Sequence, residues 1–237
     1  PTTVYLLPST IYLPMPSIHR STYRAQAKAG QSEAALAHFH QSAQQFKLGL
    51  AVGDLMTISL FRWGAYFFIY WESIGQEIAP ETLFGSMNDV LESWHGGANS
   101  QPPQTRCFVP MMDIFHCLAA ENVAQWKRKA TPERITGRVA RLQPEMVSSY
   151  IFYHYQLQEE KPGSFDKYGI ISLHENLIFF YQEHPFVVEE PLPKGKLNTS
   201  HTPPDWHGVM FPHFMLWTDA EPGQEIWRET ELVFHHE

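Results

Sequence analysis

The sequence predicts an α+β protein built as two tandem ferredoxin-like repeats, each ordered β-α-β-β-α-β, forming an intramolecular dimeric α/β barrel. Three observations carry this expectation. Short motifs recur in one order at a nearly constant offset. Both copies alternate helical and strand periodicity in the same succession. One such unit alone leaves an apolar sheet face bare, which a second unit would cover.

The recurring motifs lie about 112 residues apart, a spacing that suggests duplication. Ile58-Ser59-Leu60-Phe61 returns as Ile171-Ser172-Leu173-His174, and Ile69-Tyr70-Trp71-Glu72 as Phe180-Tyr181-Gln182-Glu183. Trp94-His95-Gly96 returns as Trp206-His207-Gly208, and Ile114-Phe115-His116 as Val233-Phe234-His235. Arg24 and His40 align with Arg138 and His154. The seam falls in the basic stretch Lys127–Pro132, dividing the chain into 1–130, with an N-terminal extension, and 131–237.

In the first copy an extended stretch covers His19–Lys28. A helix follows over Ser32–Lys47, with Ser32 as N-cap and Leu36, Phe39, Ala43 and Phe46 at helical spacing. Strands at Leu55–Phe61 and Tyr66–Glu72 flank a turn with Gly64. Pro80 opens a second helix whose buried stripe is Leu83, Met87, Val90/Leu91 and Trp94, and Gly96 stops it. A last strand covers Cys107–Cys117. The second copy repeats this with a strand at Arg134–Leu142, a helix from Pro144 to Glu159, strands at Tyr168–His174 and Leu177–Glu183, and a final strand at Glu231–His235. Its second helix is poorly marked. Glu189–Pro204 reads as a Pro-rich loop and Val209–Glu225 as an insertion. Thr3–Leu7 and Thr10–Leu13 read as an extra hairpin or arm.

Composition narrows the functional classes. The 237 residues are 43% hydrophobic and 18% charged, enough apolar material for a buried core. A net charge of −8, from 17 basic and 25 acidic residues, argues against nucleic acid or an anionic membrane as partner. Two cysteines, Cys107 and Cys117, suggest a reducing, cytoplasmic setting, and no apolar run approaches a membrane span. No Gly-rich phosphate loop, nucleophile elbow or kinase motif is present. His95, His116, His207, His213, Asp113 and Cys117 lack the tight spacing of a metal site, so neither metal nor cofactor is expected. A Pro1 amine base of the tautomerase kind lacks its downstream pattern.

Among 13 histidines, His40 and His154 stand out because they occupy the same place in both copies. Tyr150 lies one turn before His154, so the two share a helix face and are suited to proton transfer on a small ligand. The matching position in the first copy is Leu36, which makes the second copy the better site. Trp94 and Trp206 would line the site, with His207 offering a polar edge. Glu72 and Glu183, at one strand position, would hydrogen-bond ligand hydroxyls. The alternatives are core tryptophans, helix–sheet histidines and solvated strand-end carboxylates.

Tyr150-x-x-x-His154, the Ile-Ser strand, the aromatic strand ending in Glu183, Trp206 and Val233-Phe234-His235 together resemble the L-rhamnose mutarotase family. The likeness spans Arg24–His116 and Arg138–His235. It implies a carbohydrate-active isomerase that interconverts the anomers of a monosaccharide. His154 would be the acid/base, Tyr150 its partner and Trp206 a pocket wall, with His40 and Trp94 carried over in the first copy. It implies no cofactor, a sugar as ligand, and a monomer acting as a pseudo-dimer or a homodimer. Two other classes compete: a non-catalytic small-molecule binding protein, and a cofactor-free oxygenase or haem-handling protein of the same barrel type.

Overall fold

A computed structural model describes residues 17–95 and 105–237. The expected N-terminal hairpin and Gly96 lie outside the described residues. The chain is a mixed α+β protein with two large antiparallel sheets. Strand β1 (Ile18–Gln26) leads into helices α1 (Ser32–Gln41) and α2 (Ala43–Val52), then the hairpin β2 (Leu55–Trp63) and β3 (Tyr66–Ile74). Next come α3 (Pro80–Phe84) and the short strands β4 (Trp94–His95), β5 (Thr105–Arg106) and β6 (Val109–Pro110), then β7 (Met112–His116) and α4 (Val123–Trp126). The second half runs β8 (Arg134–Leu142), α5 (Val147–Glu160), β9 (Ile170–His174), β10 (Leu177–His184) and α6 (Trp206–Met210). It ends with β11 (Phe214–Met215), β12 (Arg228–Glu229) and β13 (Glu231–His236).

Strand order is β13-β2-β3-β1-β6 in one sheet and β11-β8-β10-β9-β7 in the other. Each sheet therefore carries an edge strand from the opposite half: β7 pairs with β9, and β13 pairs with β2. The expected single strand Cys107–Cys117 is split to allow this. Pro110 has no N–H to extend pairing with β1, and the chain crosses to the second sheet after Met111, whose N–H bonds Thr22 O at 2.8 Å.

The hairpin turns follow the local chemistry. Gly64 takes φ 59° between β2 and β3, the left-handed conformation a tight hairpin needs. Elsewhere the structure departs from expectation. The first helix breaks at Ser42, whose hydroxyl donates to His38 O at 3.1 Å and competes with the helical ladder. Ser32 lies inside α1, and Gln31 takes the N-cap position. The long second helix stops at Phe84, because Gly85 turns to φ 68°. Leu83, Met87 and Leu91 are still buried, so the apolar spacing was legible while the backbone between them is irregular. Among the described residues no helix is long and apolar enough to cross a membrane.

Three apolar layers result. α1 and α2 pack on the first sheet through Phe39, Phe46 and Leu60. α5 packs on the second through Tyr150, Leu157 and Ile178. Between the sheets lie Phe61, Phe68, Tyr70, Val139, Phe179 and Tyr181. Rings from β3 and β10 meet there: Phe68 stacks on Phe179 at 4.8 Å, and Tyr70 on Tyr181 at 4.0 Å. Gly137 on β8 leaves room for this layer. A Cβ there would stand 2.6 Å from Phe61 and from Thr230 Oγ1, and 2.8 Å from Phe179. Gly137→Ala is expected to lose about 1–3 kcal/mol of stability by overpacking, read from denaturant unfolding.

Candidate functional site

Helix α5 sets Tyr150 and His154 one turn apart on its buried face. The His154 Nδ1–H donates to Tyr150 O at 2.9 Å, since a carbonyl can only accept. In the neutral ring this leaves Nε2 as the free acceptor. The Tyr150 ring lies 4.1 Å from the imidazole, Trp206 meets it edge-on at 5.0 Å, and Phe115 at 5.5 Å. Burial pushes the His154 pKa down to about 4, and burial alone raises that of the Tyr150 phenol. Asp205 caps α6 by accepting the Gly208 N–H at 2.9 Å, which fixes Trp206 at the start of that helix.

These side chains line a cavity of about 630 Å³. Its walls are mainly apolar: Ile171, Phe180, Met210, Phe214, Ile226 and Trp227. The few polar groups include His154, Asp166, Gln182 and His207. Asp166 accepts the Val187 N–H at 3.2 Å and the Glu183 N–H at 3.4 Å, while burial pushes its carboxyl up to about 6. Much of the wall comes from residues 206–227, the expected insertion and its flanks.

Of the sequence-predicted residues, the structure gathers Tyr150, His154, Trp206 and His207. It does not bring His40, Trp94, Glu72 or Glu183 to that cavity. His40 is exposed on α1, with Phe234 at 6.1 Å. Around it Leu36 stands in place of the tyrosine, and Phe39, Phe67, Phe84 and Phe108 fill the space below. Trp94 lies on β4, not at a helix end, and carries the Arg24 guanidinium over its ring at 4.8 Å.

Glu72 and Glu183 face each other between the sheets, both buried, and share Arg128. Tyr70 and Tyr181 donate to them at 2.6 and 2.8 Å. Burial works against the Glu72 charge, but Arg128 outweighs it and holds the carboxyl below its ordinary pKa. Their expected role at ligand hydroxyls gives way to an internal ion cluster. Arg128, Asp166 and Gln182 were missed. The only signal for Arg128 was the basic seam, and Gln182 lay inside a recognised repeat motif.

Among the described residues no three His, Cys, Asp or Glu side chains gather as a metal site. His116 pairs with Asp113 at 2.7 Å, His213 is buried against Ser149 Oγ at 2.9 Å, and Cys117 accepts the Phe165 N–H at 2.9 Å.

No family model matches the chain, and no curated protein matches it. Among solved structures it is similar to a "putative monooxygenase" from Lactobacillus acidophilus NCFM, with TM-score 0.42 and 5% identity over 92% of this chain and 95% of that one. It is also similar to a "putative monooxygenase" from Fusobacterium nucleatum, with TM-score 0.38 and 9% identity over 94% and 93%. The expected membership of the L-rhamnose mutarotase family is corrected here. No family model supports that membership, and an apolar cavity with few hydrogen-bonding groups suits a polyol poorly. The isomerase, mutarotase and carbohydrate expectations fall with it.

Removing Arg128 leaves two buried carboxylates without a cation. Arg128→Met is expected to cost about 3–5 kcal/mol, and adding Glu72→Gln and Glu183→Gln should recover much of it in chemical denaturation. His154 makes stability depend on pH. Its folded pKa near 4 lies below the ordinary 6.5, so the unfolded chain takes up the proton first. The contribution is complete above 6.5 and is lost as pH falls toward 4. The wild type should therefore lose stability relative to His154→Gln across that window, while Asp166 acts in the opposite direction below 6.

Proposed function

We propose that the chain is two fused ferredoxin-like halves, 1–130 and 131–237, and that only the second keeps a ligand pocket. The matching strand orders and the exchanged edge strands support this reading. The pocket binds a flat, largely apolar molecule with a weakly acidic hydroxyl and promotes its oxidation by dioxygen without a resident cofactor. The observation that carries this is the imidazole of His154: neutral, desolvated, pinned through Nδ1, with Nε2 free in an apolar cavity.

His154 Nε2 takes the hydroxyl proton, and the apolar walls leave the anion poorly solvated and electron-rich. A ring carbon of the anion bonds to dioxygen, and the peroxide formed takes back the proton. Loss of water then leaves a carbonyl on the ring. One oxygen atom stays, the other leaves as water, and the substrate supplies all four electrons. Trp206 and Trp227 hold the ring, and Tyr150 sets the His154 orientation through its carbonyl.

Dioxygen uptake with hydroxylated naphthalenes tests this. His154→Ala should lower turnover by at least about 10²-fold while calorimetry still detects binding. Uptake that is indifferent to His154 would remove it from the reaction. Binding without any uptake would make the protein a non-catalytic binding module.

A further inference from the structure

Arg24 and Arg138 are repeat-mates whose guanidinium groups end in different surroundings. Arg24 is closed in by Trp94 and Tyr66, with its Nη1 3.0 Å from His174 Nδ1 and 3.5 Å from Glu175 Oε2. Arg138, on β8, stacks on Phe180 at 5.1 Å, and its Nη2 donates to Gln182 Oε1. Among the described residues it forms no ion pair. Glu229, the carboxylate that bears on it, is engaged with Arg134 at 2.7 Å, and Arg134 adds like charge nearby. A half-buried guanidinium with N–H donors unused is a receptor for a planar anion.

Its position relates it to the pocket. Phe180 and Gln182, the two side chains it touches, both line the His154 cavity. Arg138 itself lines a second cavity of about 650 Å³, which shares His207, Phe211, Ile226 and Trp227 with the first. Glu225 and Glu229 also line this second cavity. Glu225 accepts the Gly223 N–H at 2.9 Å.

We propose that the ligand is an amphipathic carboxylate, with its apolar ring in the His154 cavity and its carboxylate in the adjoining cavity against Arg138. This rests on the pocket reading above and adds the anionic end. Lys could supply the charge but not the planar two-donor match.

Three probes test it by titration calorimetry at low ionic strength: naphthol, a hydroxynaphthoate with hydroxyl and carboxylate at opposite ends of the fused rings, and the corresponding carboxamide. The wild type should bind the carboxylate about tenfold tighter than the carboxamide. Arg138→Gln should close that gap, and Arg138→Lys should keep part of it. Equal binding of carboxylate and carboxamide by the wild type would overturn the proposal, even if Arg138→Gln failed to fold. So would a preference that survives Arg138→Gln. Binding of naphthol in either case would leave the pocket reading standing. Failure of all three probes to bind would overturn both.

Discussion

One arginine holds the two halves at their centre. Arg128 comes from the connector and enters between the sheets, where Glu72 of one half and Glu183 of the other meet it. Each carboxylate takes a further hydrogen bond from the tyrosine two residues before it, and those tyrosines stack on each other at 4.0 Å. The guanidinium also lies over the Tyr168 ring at 4.2 Å. Desolvating three charges is costly, and only full pairing in a fixed geometry offsets it. The facing of the sheets, and with it the aromatic layer between them, is therefore tied to where this one side chain ends.

The halves use the same strand order for different ends. In the first, phenylalanines occupy the space between helix and sheet and leave the imidazole of His40 outside. In the second, the segment after β10 carries Trp206, Phe214 and Trp227 around a space that stays open. Tight packing fills the first half, and the second forgoes it around this space. The tyrosine-to-leucine difference at positions 150 and 36 is the simplest mark of that division.

Much of the scaffold was legible because it is local. Alternating apolar residues and Gly64 announce the β2–β3 hairpin, and the i, i+4 spacing of Tyr150 and His154 announces a shared face. What escaped depends on contacts distant in sequence. Ser42 breaks a helix whose apolar spacing runs straight through it. Glu72 and Glu183 were recognised as equivalent positions, but their partner lies in a connector with no repeat. The pocket's character comes from the segment 206–227, whose residues acquire meaning only once folded against β10 and α5. Apolar walls turned the expectation of a polyol aside, though the histidine and tyrosine stand where the helix periodicity put them.

The exchange of edge strands bears on the order in which the molecule can be made. Strand β2 emerges from the ribosome long before its neighbour β13, and their pairing closes a very long loop. The first-made sheet is thus the last one finished. Until residues 231–236 arrive, β2 presents an unpaired backbone edge.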